Sequence, residues 1–390
     1  MKVILNIESV KFPLTGIGRY TFELGRALQR SADLEKLILW SGLRPGQGWP
    51  EMKSLVAGNG IRFRAQIKNG VRAIPGAADL YLKLRRRLTA GRLKKYNDCL
   101  YHGPNFYLPP FDGPKVVTIH DLSFAVMPQT HPADRVRLMT AALEHAVKNA
   151  DQIITISDFS RQEIGRVYNY PLNRIKTTYL AASESFRPRT PAETNPYLAQ
   201  YGLKPGQYSL YVGTIEPRKN IIGLLDAYER LPLPLRRHYP LVISGFAGWN
   251  SSDIHQRMQK LRPQGWLHYL DFLPHDHLPI LISGAALFLF PSLYEGFGLP
   301  PLEAMQSGVP VLVSDRASLP EVVGPAAPQL DPQDAGLWRE WIQRGLEDDT
   351  WRRQAIKMGL ERAAEFTWQR CAAKTAAAYQ AAAASHGGST

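Results

Sequence analysis

Short apolar runs bounded by turn residues recur along this chain, and segments of helical period separate them. In the first half, residues 3–7 read as a strand. Residues 18–29 read as a helix that aligns Tyr20, Leu24 and Leu28 on one face. Further strands are expected at 37–40, 116–119 and 152–155, then at 209–213, 241–244, 267–272, 285–290 and 309–314. These runs do not alternate apolar with polar positions, as expected for strands covered on both faces. Strand followed by helix, repeated, predicts an α/β chain of doubly wound parallel sheets. At 390 residues the chain is too long for one ordinary core, so two domains are expected. The segment 186–205 (FRPRTPAETNPYLAQYGLKP) is proline-rich and without clear period. It reads as the linker between a first domain, 1–185, and a second, 206–366. An alanine-rich helix is expected over 367–384, and a disordered tail over 385–390. Ligands of such folds bind at the carboxyl ends of the strands, in the cleft between domains.

Composition narrows the class. Hydrophobic residues make up 44% and charged residues 21%, the balance of a water-soluble globular protein. No apolar run reaches the ~20 residues that span a bilayer. The start, MKVILNIESV, reads as a first strand and not as a leader peptide. Two cysteines, Cys99 and Cys371, point to a reducing compartment, and the cytoplasm is the expected location. The charge is uneven: residues 1–185 hold 27 Lys and Arg against 15 Asp and Glu, and the rest hold 20 against 19. The segment 80–96 (LYLKLRRRLTAGRLKKY) sets Leu80, Leu84 and Leu88 on a narrow stripe. Lys83, Arg85, Arg86, Arg87, Arg92, Lys94 and Lys95 surround it. Such a segment suits an anionic membrane surface, or is a solvated basic helix covering the sheet. Nucleic acid is not the expected partner, because no recognised binding motif or aromatic platform accompanies the patch.

The chemistry concentrates in FPSLYEGFGLPPLEAMQSGVP, residues 290–310. A strand ends at Phe290, and a helix is expected over 302–307, with Pro301 near its start and Gly308 near its stop. Glu295 then lies in the loop, and Glu303 in the first turn of the helix. Between them, the backbone amides of Phe297, Gly298 and Leu299 are placed to meet an anion at the helix N-terminus. Carboxylates for hydroxyls beside amides for phosphate suit a nucleotide sugar. In the same domain, SLYVGTIEPRKN puts Arg218 and Lys219 between a strand and a helix, where two cations can clasp a diphosphate. In the first domain, TGIGRY opens the first helix, and Gly16 and Gly18 allow close backbone approach. His120 follows the strand 116–119, and Asp121 is placed to orient its ring. Ser157 is expected to cap a helix. His275-Asp276-His277 reads as a capped helix start at 278–282, and no metal site is expected.

Glu-x7-Glu filled as EGFGLPPLEA and followed by GVPVLVSD resembles the signature of the retaining glycosyltransferases of family 4, which have the GT-B fold. The resemblance implies that Glu295 contacts hydroxyls of the donor sugar and that Glu303 holds the ribose diol. It places Arg218 and Lys219 at the diphosphate clamp, although many relatives carry an arginine where this chain has Thr214. It makes VVTIHDLSF the site of the histidine that touches the donor sugar, and it implies that the last helix crosses back onto the first domain. It also implies a front-face mechanism without a metal cofactor. TGIGRY, TIHDLSF and GTIEPRKN are similar to bacterial mannosyltransferases of O-antigen and exopolysaccharide assembly. The expected donor is therefore GDP-mannose, with UDP-glucose and GDP-rhamnose as alternatives. The expected acceptor is a lipid-linked saccharide at the inner face of the cytoplasmic membrane. A nucleotide-sugar epimerase of the same fold, or a basic non-catalytic nucleic-acid-binding protein, are the competing readings.

Overall fold

The computed structural model describes residues 1–12, 14, 16–50, 87–271, 273 and 276–387. The first sheet holds β1 (Lys2–Asn6), β2 (Lys36–Ser41), β3 (Arg44–Pro45), β4 (Leu100–Gly103), β5 (Lys115–Ile119), β6 (Gln152–Thr155) and β7 (Ile175–Thr177). Its order is β3-β2-β1-β4-β5-β6-β7, parallel except for the β2–β3 pair. The second sheet holds β8 (Ser209–Val212), β9 (Leu241–Ser244), β10 (Leu267–Leu270), β11 (Leu287–Phe290), β12 (Val311–Ser314) and β13 (Gln329–Leu330). It is parallel throughout, in the order β10-β9-β8-β11-β12-β13. The expected strands are all present. Their central members are buried along their whole length, which explains the continuous apolar runs.

Four strands, β3, β4, β7 and β13, go beyond the sequence expectation. β4 (LYHG) carries a fully buried histidine, which breaks the apolar run. His102 is accommodated because Tyr379 Oη lies 2.7 Å from Nδ1 and Thr118 Oγ1 lies 2.8 Å from Nε2. Burial pushes its pKa down to about 3, so the imidazole is neutral. β3, β7 and β13 have two, three and two residues and give almost no periodic signal.

The linker is not irregular as expected. Pro191–Leu198 is a helix closed at its start by a capping box, in which Thr190 and Glu193 exchange side-chain-to-backbone bonds. Pro191 stands in the first turn, where its missing N–H costs nothing.

The helix Trp368–Gly387 leaves the second domain after the buried Phe366 and packs on the first helix, Gly16–Gln29, and on β5, β6 and β7. Alanines 372, 376, 378 and 382 are buried there, and their small side chains permit close approach. Ser385–Gly387 continue this helix and are not part of a disordered tail. His386 Nε2 donates to the Asp112 carbonyl at 2.8 Å, which anchors the end. One apolar cluster accordingly runs from Val3 and Tyr20 through Tyr379 into the second sheet.

Of the basic segment, residues 87–93 are helical, and Lys94–Tyr96 form a 3₁₀ turn. Leu88 is 47% exposed, whereas Leu93 is buried. Leu80, Lys83, Leu84, Arg85 and Arg86 lie outside the described residues. Among the described residues, no helix is long and apolar enough to cross a membrane.

Candidate active site

β8 and β11 are neighbours in the second sheet, so their carboxyl ends deliver two loops side by side. The loop after β8 closes in the 3₁₀ turn Pro217–Lys219, and Asn220 at φ +54° turns the chain into the helix Ile221–Glu229. The loop after β11 leads into the helix Leu299–Gln306. The two loops are pinned together: Leu293 N–H donates to the Arg218 carbonyl at 2.8 Å, and the Arg218 guanidinium donates to the Tyr294 carbonyl at 2.5 Å.

This packing brings Glu295, Arg218 and Lys219 into one buried cluster. Lys219 Nζ lies 2.5 Å from Glu295 Oε1, and Arg218 lies 3.3 Å from Oε2. The other arm of the guanidinium lies 2.6 Å from Glu216. Burial pushes the Glu295 carboxyl up, but Lys219 and Arg218 outweigh it and hold its pKa below the ordinary value. Burial and the Arg218 charge push Lys219 below the ordinary lysine value, against the pull of Glu295 and Glu216. Burial also opposes the Arg218 charge, yet Glu295, Glu216 and Asp121 together raise its pKa. The cluster therefore holds two cations and two carboxylates, with Arg218 Nε buried and without a partner. An anion entering here meets charges already desolvated, at little further reorganisation.

Glu303 is 3% exposed and ion-paired with Arg19 of the first domain. It stands in the second turn of its helix and not the first, because Leu299 is already helical and Pro300 fits the first turn. Burial pushes the Glu303 pKa up, against the Arg19 charge. The pair joins Glu303 to the turn that holds Gly16 and Gly18. A Cβ on Gly18 would meet the Ser9 carbonyl at 2.7 Å, whereas Gly16 has nothing within 4 Å. Gly18 is thus required by packing of the chain itself. Gly298, at φ +106°, makes the left-handed turn into the helix. The Phe297 ring is buried against Tyr179 and Phe366, so only its backbone can serve a ligand.

His120 Nε2 donates to the Pro104 carbonyl at 2.8 Å, and its ring meets Tyr20 edge-on at 4.9 Å. That carbonyl, and not Asp121, orients the imidazole. Asp121 instead accepts the Ser123 N–H at 2.9 Å. Burial lowers the His120 pKa more than Pro104 and Asp121 raise it, so the ring is neutral. Ser157 caps its helix, accepting from Ser160 N–H at 3.1 Å. The helix expected at 278–282 starts at His277, and Asp276 makes no side-chain cap; His275 lies outside the described residues. No group of three or more His, Cys, Asp or Glu is arranged for a metal among the described residues.

Four residues that join the domains, Tyr294, Gly296, Glu321 and Arg19, were not singled out from the sequence. Tyr294 Oη accepts the Leu122 N–H at 3.1 Å and donates to Glu163. A Cβ on Gly296 would meet the His120 carbonyl at 2.5 Å and Asp121 Cβ at 2.9 Å. Glu321 accepts the N–H groups of Asp158 and Phe159, at 2.5 and 3.0 Å, at the start of the helix Asp158–Tyr168. Arg19 stands next to Gly18 in the TGIGRY motif, which is where a signal for it existed.

Residues 198–362 match the family described as glycosyl transferases group 1, and residues 14–181 match glycosyltransferase family 4. Over 383 residues, 97% of this chain and 100% of the relative, the chain is 44% identical to O-antigen chain mannosyltransferase B of Escherichia coli. Its architecture is similar to that of sucrose-phosphate synthase from Thermosynechococcus elongatus, with a TM-score of 0.70 at 20% identity, covering 97% of this chain and 98% of that one. It is also similar to WaaG, a glycosyltransferase involved in lipopolysaccharide biosynthesis, with a TM-score of 0.66 at 16% identity over 96% and 98% of the two chains. Two parallel sheets meeting at a cleft, with the last helix crossing back, are the GT-B fold. The chain belongs to glycosyltransferase family 4, and it is a glycosyltransferase.

Proposed function

We propose that this enzyme transfers a mannosyl group from GDP-mannose to a hydroxyl of a lipid-linked saccharide in O-antigen synthesis, with retention at the anomeric carbon. The observation that carries the reading is the full-length 44% identity to an O-antigen chain mannosyltransferase. The buried Arg218–Lys219–Glu295 cluster supports it at the chemical level. In the proposed front-face reaction the bond from C1 to the diphosphate oxygen breaks and a bond from C1 to the acceptor oxygen forms. The acceptor proton passes to the departing diphosphate. Arg218 and Lys219 stabilise the charge that grows on that diphosphate, Glu295 contacts the sugar hydroxyls, and neutral His120 flanks the sugar. Glu303 accepts from the ribose diol, and the amides of Phe297, Gly298 and Leu299 with the Gly16–Gly18 turn face the donor.

Purified enzyme should release GDP from GDP-mannose only when a saccharide acceptor is present, and the product should show an α-linked mannose by NMR. Release from UDP-glucose or GDP-rhamnose instead would change the donor, and release without acceptor would favour an epimerase. Glu303→Ala should weaken GDP binding by about 1–3 kcal/mol, the scale of hydrogen bonds to a charged group. Unchanged affinity by isothermal titration would remove Glu303 from the ribose site.

A lipid-linked acceptor also gives the basic segment 80–96 a role at an anionic surface, on the cytoplasmic face in this proposal. Each cation near such a surface contributes on the order of 1 kcal/mol, screened by salt. Wild-type enzyme should float with phosphatidylglycerol vesicles at low salt, and Arg85, Arg86 and Arg87 replaced by Glu should release it while GDP affinity is kept. Wild type that stays at the bottom of the gradient at low salt would return the segment to a solvated helix.

A further inference from the structure

Beside the cation cluster, a second loop of the second domain is built with unusual care. After β9, Gly245 at φ +153° packs so closely that a Cβ would lie 1.9 Å from the Gly213 carbonyl. The chain then runs alongside the clamp loop: Ile215 N–H donates to the Phe246 carbonyl at 2.8 Å, and Gly248 N–H donates to the Ile215 carbonyl at 2.9 Å. Gly248 has no room for a side chain either, since a Cβ would meet the Ile215 carbonyl and Thr214 Cγ2 at 2.7 Å. Ser251 Oγ closes the turn on the Gly248 carbonyl at 2.8 Å. These contacts fix the backbone that carries Phe246, which is 48% exposed, and Trp249, which is half-buried.

Across the cleft, the first domain presents His131 and Arg135 to Trp249. The His131 ring lies 5.5 Å from the indole at 35°, and the Arg135 guanidinium lies 4.7 Å over it. His131 is 7% exposed, with Nε2 3.1 Å from Ser123 Oγ. Its Nδ1 is buried without a partner, and such an atom in a native protein calls for an explanation. The ring also lies within electrostatic reach of Arg218, Glu216 and Asp121, which places it beside the reacting end of the cleft. Burial, with Arg135 and Arg218, keeps the imidazole neutral, so Nδ1 can either donate to or accept from a hydroxyl.

We propose that Trp249, His131 and Arg135, flanked by Phe246, form the subsite that holds the terminal sugar ring of the acceptor. A pyranose has an apolar C–H face and a rim of hydroxyls, and this site offers a half-buried indole with a guanidinium over one face and an imidazole tilted against it. The exposed part of the indole, which Arg135 does not cover, carries the C–H face, His131 Nδ1 takes one hydroxyl, and Arg135 donates to the rim. The subsite straddles both domains, so the acceptor sugar is gripped only when the cleft is closed over the donor. This inference rests on the transferase reading for the word acceptor, but the saccharide site itself does not need it.

Two measurements test it separately. In full-length enzyme labelled with 5-fluorotryptophan, the Trp249 resonance is assigned by Trp249→Phe. With GDP present, it should shift on addition of α-linked mannobiose, maltose or chitobiose. No shift with any of the three would overturn the site, whether or not the enzyme transfers mannose. In steady-state transfer to an octyl mannobioside, Trp249→Ala and His131→Ala should each raise the acceptor KM by roughly tenfold, on the scale of one aromatic or buried polar contact. The KM for GDP-mannose should stay within about threefold, and Trp249→Phe should recover most of the acceptor KM. A fall in kcat with the acceptor KM unchanged would make these residues a contact between domains and nothing more.

Discussion

Lys219→Ala should lower kcat by roughly 10²–10³-fold at saturating donor, while donor affinity falls by less than about tenfold. The asymmetry follows from where charge changes. In the bound donor the diphosphate already has most of its charge, so the ground state loses only part of the lysine's attraction. As the bond to C1 breaks, a further negative charge develops on the bridging oxygen, and an ammonium buried beside it acts in a poorly screened environment. The fold should tolerate the change, because Arg218 remains 3.3 Å from Glu295 and that carboxylate is not left alone. Glu295→Ala is the harsher variant, since it removes the carboxylate that Arg218 and Lys219 share and leaves Glu216 and Asp121 to offset them. Thermal melting should therefore separate the two, with Lys219→Ala near wild type and Glu295→Ala clearly lower. In the same assay EDTA should leave the wild-type rate unchanged, because the cation pair supplies the neutralisation. Turnover of Lys219→Ala near that of wild type would remove the residue from the clamp, and loss of the wild-type rate in EDTA would require a metal.

The parts of this molecule legible in the sequence are those whose physical cause is local. Strands such as Leu287–Phe290 are buried on both faces, so burial writes itself as an unbroken apolar run. The loop after β11 was legible because a Gly-Phe-Gly turn and a Pro-Pro step have few conformational uses. Where local and distant causes compete, the reading failed. His102 in β4 looks polar in sequence, and only Thr118 and Tyr379, the latter 277 residues away, make it a core residue. The capping box at Thr190 was present in the sequence, but two prolines in the following turns masked it. The site shows the same division. Arg218, Lys219 and Glu295 were legible through their loops. The pairs Arg19–Glu303 and Tyr294–Glu163 are separated by 284 and 131 residues, and nothing in either local segment announces its partner. The ring of His120 is held by the Pro104 carbonyl and not by the adjacent Asp121, because the fold supplies a nearer acceptor than the sequence does.

Gly296→Ala should cut turnover by about 10²-fold while leaving the affinity for GDP within about threefold and the melting temperature almost unchanged. The new Cβ would fall 2.5 Å from the His120 carbonyl and 2.9 Å from Asp121 Cβ, and neither obstacle is the end of a flexible side chain. Both belong to the first domain, whereas Gly296 belongs to the second. The clash thus exists only while the two domains are closed, and a small opening of the cleft relieves it. The nucleotide contacts proposed for Lys219, Glu303 and the Phe297–Leu299 amides lie in the second domain and would survive that opening. What is lost is the placement of His120 against the sugar, and a displacement of about 1 Å at a reacting centre is enough for a loss of that size. Gly298→Ala provides the contrast. Its obstacle, Leu319 Cδ2 at 2.7 Å, lies within the second domain, and its φ of +106° is strained for any side chain. That variant should lower the melting temperature whether the cleft is open or closed. Equal loss of GDP affinity and of turnover in Gly296→Ala would mean that the residue supports the second domain alone, and that closure over His120 does not govern the reaction.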